Sequence, residues 1–162
     1  MMATPVYDVG DVVRLEILVR ANTTSMAAAA AAGATTITVY DTTGYADTNV
    51  IVINPSTTPE HAPQETRIVS GAPTATVITL TVALAFAHPA GTIVSELSAG
   101  TVTAIVRLPD GTTSAGSVSN VSTGRYRVDH TATLAGEHRI EWTVASPAAS
   151  GTYAFQVTSD TV

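Results

Sequence analysis

Four histidines and thirteen carboxylates carry whatever acid–base or metal chemistry this 162-residue chain can perform, because cysteine is absent. Without cysteine there is no disulfide framework, no thiol nucleophile and no cysteine-based zinc site. Glu60 and His61 stand together with Glu65 nearby, a set able to offer metal ligands. They occupy a proline-rich stretch with no second histidine at ligand spacing, so an exposed loop is the stronger reading. Asp129-His130 could form an acid–base pair. Alternation instead puts His130 on an inward face with Tyr126 and Val128, which predicts a hydrogen-bonded core or sheet-edge histidine. His88 precedes Pro89 in a turn, His138 shares a face with Ile140 and Trp142, and no histidine converges with another in sequence.

Other chemistries find no better footing. A serine hydrolase wants its nucleophile on a sharp glycine-flanked turn. Ser70-Gly71 and Ser150-Gly151 are ordinary turn dipeptides, and no Gly-x-Ser-x-Gly occurs. Glycosidase chemistry needs two carboxylates with separated pKa values in a cleft. Asp8, Asp11, Asp41, Asp47, Asp110 and Asp160 fall at strand ends or turns, where aspartate caps backbone donors. No phosphate loop or dinucleotide fingerprint is present. Gly124-Arg125-Tyr126-Arg127 comes nearest to an aromatic platform with arginines between rings. In a strand, however, Tyr126 points inward and both arginines outward. The chain reads as a non-enzyme with no catalytic, cofactor-binding or metal-binding residue.

Charge narrows the partners. The net charge is −6 and no basic patch is visible, which argues against nucleic acid. No run approaches 18 apolar residues, so no membrane-spanning helix is expected. Asp8 and Asp11 before the first apolar run, with no charged leader, predict no signal peptide.

The elements that position these residues read as strands. The chain holds 28 threonines, 26 alanines and 20 valines, and all seven of its basic residues are arginine. Branching at Cβ suits threonine and valine to the pleated strand. Val13, Leu15, Ile17 and Val19 alternate with Arg14, Glu16 and Arg20, as in a half-buried strand. Ala21 to Ala34 reads as a linker or a single helical turn, since so short an uncapped alanine run is marginal in water. Between Thr35 and Glu96 five short strands follow one another: around Ile37 and Val39, then Val50–Ile53, Arg67–Ser70, Thr76–Val82 and Thr92–Glu96. That spacing predicts a small barrel or sandwich. From Thr101 to Val157 a second set carries Trp142, Tyr126, Tyr153 and Phe155 on its inward faces.

The first strand has the amphipathic character of this second set. An immunoglobulin-like sandwich wants about seven strands. The fold expected is therefore all-β: an Ig-like β-sandwich built from residues 1–24 plus 97–162, with a small β-barrel or sandwich module inserted at 33–96. Two domains in tandem are the alternative.

Several segments then line up with a known pattern. Tyr7-Asp8-Val9-Gly10-Asp11, Pro109-Asp110-Gly111, Thr123-Gly124-Arg125-Tyr126 and Gly136-Glu137-His138-Arg139-Ile140-Glu141-Trp142 resemble small Ig-like virion proteins of tailed bacteriophages. The middle, Gly33 to Val39 and Ile78 to Thr92, is similar to a β module that recurs in phage structural proteins. The resemblance implies a virion protein made in the host bacterial cytoplasm. First among the roles is a capsid decoration protein that binds assembled major capsid protein or other virion proteins, with self-association on the shell. A head–tail joining or tail component is the alternative. A host-surface or carbohydrate-binding module is a third reading, which the small aromatic supply disfavours. The contact candidates are the irregular, proline-bearing segments: Pro5, Val6 and Tyr7 at the N-terminus, and Pro55, Pro59, Glu60, His61 and Pro63 in the loop. Deleting residues 55–63 is expected to weaken incorporation into virions while circular dichroism shows an intact fold. Unchanged incorporation would exclude the loop as the contact.

Overall fold

The computed structural model describes residues 5–55 and 63–159. Among them are fourteen strands and no helix, so the protein is all-β. In chain order they begin with β1 (Val6–Asp8), β2 (Val12–Leu18), β3 (Arg20–Ser25), β4 (Thr36–Thr38), β5 (Val50–Ile53), β6 (Glu65–Ile68) and β7 (Val77–Thr79). They continue with β8 (Ile93–Leu97), β9 (Val102–Arg107), β10 (Thr113–Ala115), β11 (Ser117–Ser122), β12 (Arg125–Thr131), β13 (Gly136–Val144) and β14 (Ala149–Thr158). The chain divides into two units, Met1–Val19 with Ala99–Val162, and Arg20–Ser98.

The first unit holds a five-stranded sheet, β1-β14-β13-β9-β10, and a three-stranded sheet, β11-β12-β2. This is the B-E-D against C-F-G order of an Ig-like sandwich, in which β2, β12 and β11 take the first three places. Val13 and Ile17 from one sheet meet Val106, Ile140 and Phe155 from the other in a single apolar core. Burying a side chain such as Phe155 stabilises by about 2–3 kcal/mol. The charged residues of β2, Arg14 and Glu16, lie on its opposite face, as strand alternation requires.

Turns and polar anchors fix the sandwich. The Pro109-Asp110-Gly111 turn places Gly111 at φ +83°, where a side chain would be strained. Asp110 Oδ1 accepts the Thr112 backbone N–H at 2.9 Å and its hydroxyl at 2.7 Å. Gly151 leaves room for a neighbour, since a Cβ there would meet the Trp142 ring at 2.5 Å. The Tyr126 ring is buried, and its hydroxyl accepts from Gly100 N–H at 2.9 Å and donates to Gly100 C=O at 2.5 Å.

The second unit pairs β3-β8-β5-β6 in one sheet and β4-β7 in another. Single bridges, Met26 to Val39 and Val69 to Leu80, join the two sheets at both edges. Hydrogen bonding therefore runs round the unit as in a small barrel. Met26, Ile37, Ile51, Ile53, Ile78 and Val94 fill its interior.

Four expectations change. The alanine stretch is neither linker nor helical turn: Arg20–Ser25 is a strand paired with β8, and Ala30 exchanges backbone hydrogen bonds with His88. The unit boundaries fall at 19/20 and 98/99, so residues 20–24 and 97–98, assigned above to the sandwich, belong to the inserted unit, where Arg20 pairs with Leu97. The strand expected over Thr76–Val82 spans only Val77–Thr79, and Val82 beyond it is 63% exposed. The segment before Val12 is regular at Val6–Asp8, which pairs in parallel with β14.

Replacing Tyr126 by Phe keeps the ring but removes the partner of both Gly100 polar groups. Chemical denaturation should show a loss of about 1–3 kcal/mol. A loss within error would mean the hydroxyl is not an anchor.

Candidate functional site

The predicted contact residues do not gather in one place. Pro5 is exposed, and its carbonyl accepts the Gln156 N–H at 2.9 Å. Val6 points to solvent, whereas the Tyr7 ring is half-buried and meets Phe155 edge-on at 5.5 Å. Pro55 is half-buried and Pro63 exposed. Pro59, Glu60 and His61 lie outside the described residues. Pro5 and Val6 therefore face outward, and Tyr7 packs against the sandwich core.

Two histidines do converge, contrary to the reading of each alone. His130 on β12 and His138 on β13 both face inward, and His130 Nε2 lies 3.3 Å from His138 Nδ1. His138 is fully buried, and its Nε2 is 2.8 Å from the Leu134 carbonyl, which can only accept. Nε2 of His138 therefore carries a proton and donates to that carbonyl, and its Nδ1 shares a hydrogen bond with His130 Nε2. The His138 ring stacks on Phe155 at 5.2 Å, and Tyr153 flanks the Phe155 ring at 6.0 Å. Burial, and secondarily the His138 charge, lower the His130 pKa from its ordinary value. Burial pushes the Tyr153 phenol up to about 12, helped by its hydrogen bond with Tyr7. The cluster is a polar seam inside an aromatic core. The signal for it was available: both residues alternate inward on strands joined by a short connection.

Glu65, first considered as a metal ligand, does something else. It is 4% exposed and clips the chain segment before β8. Its carboxylate accepts the N–H groups of Ala85 and Phe86, each at 2.9 Å, and His88 Nε2 at 2.8 Å. Arg67 also pairs with it and donates to the Ala83 carbonyl at 3.1 Å. Burial raises the Glu65 pKa, but the Ala85 N–H, His88, the Phe86 N–H and the Arg67 charge outweigh it and leave the value lowered. A carboxylate so saturated has little capacity left for a metal. Among the described residues no three His, Asp or Glu side chains stand close enough to hold one.

The third polar group lies on the outer face of the three-stranded sheet. As alternation required, Tyr126 points in while Arg125 and Arg127 point out. With Arg14, Glu16 and Val121 they line an open cleft of about 430 Å³. Its charges are paired: Arg125 with Glu16 at 2.6 Å, Arg14 with Asp129 at 3.4 Å, and Arg127 with Asp129 at 3.1 Å. Exposed pairs of this kind contribute little stability. Among the described residues the lining of this cleft includes no aromatic ring. No family model and no curated protein matches the chain.

The histidine seam sets a pH dependence. Because His130 binds its proton less readily when folded, the unfolded chain takes up the proton first as pH falls. Stability should be full above the ordinary histidine value of 6.5 and decline as pH drops below it, before the carboxylates titrate. Urea midpoints measured from pH 8 to pH 5 check this, and a His130→Gln variant should flatten the profile. A flat profile for the unaltered chain would sink the assignment.

Proposed function

We propose that this chain is a non-enzymatic structural component of a tailed-bacteriophage virion, a decoration protein that binds assembled major capsid protein and stabilises the head. The observation that carries the reading is the architecture: an Ig-like sandwich interrupted in sequence by a second, complete β unit. In each unit the buried polar groups are spent on structure. Glu65 and His88 clip a loop, Tyr126 ties Gly100, and the Tyr45 hydroxyl donates to the Val94 carbonyl at 2.9 Å. The outer surfaces are what remain for function. The inserted unit turns large apolar side chains outward, with Tyr40 70% exposed and Phe86 46% exposed. Such side chains serve as anchors in protein interfaces. The resemblance of Tyr7–Asp11, Pro109–Gly111 and Gly136–Trp142 to Ig-like virion proteins supports the virion as the assembly.

A protein that binds the assembled shell and not free subunits stabilises the shell by mass action. No catalytic step is required of it. The number of copies per particle tests the role. Quantitative mass spectrometry of purified virions should find several hundred, as expected for a shell-covering protein. A count of six or twelve would overturn decoration and favour head–tail joining, while absence from the particle would overturn the virion reading itself.

A further inference from the structure

In the Ig-like order, strand B has a neighbour on each side, strand A and strand E. Here β2 takes the place of strand B and pairs with β12 through all seven of its residues. It ends its sheet, and among the described residues no strand occupies its other edge. Such an edge presents unpaired N–H and C=O groups and is a template for another strand.

The sequence of β2 decides what fits there. Read forward it is Val12-Val13-Arg14-Leu15-Glu16-Ile17-Leu18. Laid antiparallel on itself about Leu15, Arg14 stands opposite Glu16 and Glu16 opposite Arg14. Val13 stands opposite Ile17, Val12 opposite Leu18, and Leu15 opposite its own copy. Every charge meets the opposite charge and every apolar residue meets an apolar one. The faces also agree, because residues so paired share the same parity along the strand. Val13, Leu15 and Ile17 continue the core side, and Arg14 and Glu16 continue the outer side. A slip of one residue in either direction would cross the two faces, and a slip of two would place Arg14 opposite Arg14 or Glu16 opposite Glu16. Both side chains are free to reach across, with Arg14 66% and Glu16 58% exposed despite their pairs within the chain.

We infer that β2 is a self-association edge, pairing antiparallel with β2 of a second copy of this chain in the register centred on Leu15. The product is a two-fold dimer with one six-stranded sheet, β11-β12-β2 joined to its mate. The contact is isologous, so it closes at two copies. Arg14 and Glu16 then act as selectors. They discourage generic strand addition, as edge charges do, and admit the one partner whose charges are reversed in direction. The pairing does not depend on the virion reading and goes beyond it.

Sedimentation velocity on the whole chain over a range of concentrations is the first measurement, and the expected result is a monomer–dimer equilibrium. R14E and E16R each replace two attractive cross-strand pairs with two repulsive ones. Each variant alone should dimerise about tenfold or more weakly than the unaltered chain. Mixed in equal amounts, the two variants should recover the dimer, because one strand then carries glutamates at 14 and 16 and the other arginines. That recovery is independent of any change the substitutions make within a single chain. Leu15→Cys, in a chain without other cysteine, should oxidise to a covalent dimer, and Val121→Cys on β11 should not. A purely monomeric chain would overturn the inference. So would a dimer unaffected by either charge variant, or a mixture no better associated than its parts.

Discussion

Everything in this architecture rests on one pair of closures at the junction between the units. In the sandwich, Val19 and Gly100 are neighbours: a Cβ on Gly100 would lie 3.4 Å from a Val19 methyl. In the inserted unit, Arg20 and Leu97 are directly paired on β3 and β8. Each unit therefore brings its own two ends together without help from the other. A chain can leave a finished fold, build another, and return only when both sides meet this condition. Gly100 has a second duty at the same point, because Tyr126 ties down both of its backbone polar groups. Its lack of a side chain matters too, since a Cβ would stand 2.6 Å from the Ser146 carbonyl.

Both units solve a shortage of large apolar residues by different means. The sandwich gathers Tyr7, Phe155, Tyr153, His130 and His138 into one group of touching rings, in which the two imidazoles fill space that larger apolar side chains would otherwise have to fill. The barrel has few rings inside and uses isoleucine, valine and methionine, closing itself with two single bridges. It then spends a buried carboxylate on holding a loop. Removing one partner from such a network leaves the others unsatisfied in a dry place, which costs more than the bonds themselves add.

The long amphipathic strands were legible because their side chains take opposite environments at every step. β2, β9, β12 and β13 have buried and exposed residues in strict or near-strict alternation, and their residue types alternate with them. β10 and β11 were not legible: Thr113–Ala115 is wholly exposed, and Ser117–Ser122 has no fully buried residue. Such strands are held by backbone pairing with a neighbour, which leaves no mark on composition. The alanine stretch misled for a related reason. Its backbone groups are taken by Thr38, Leu84 and His88, all distant in sequence, and intrinsic helix preference yields to that pairing. Glu65 and the histidine pair show the same limit at the level of side chains. Residue type declares that a group can bind protons or metals, but only the fold declares who stands beside it.

The junction also orders events in time. During synthesis β1 and β2 emerge first and must wait for the entire 20–98 span before β9 appears. If that span stays unfolded, joining β2 to the strands beyond it means closing a long, loose loop, an entropic cost on the order of 4 kcal/mol. Once β3 and β8 have paired, Arg20 and Leu97 are held side by side and the long loop has become a short one. The inserted unit is thus a splint for its host. Local opening of β3 from β8 would be felt in the sandwich as slower refolding, although no residue of the sandwich core had changed.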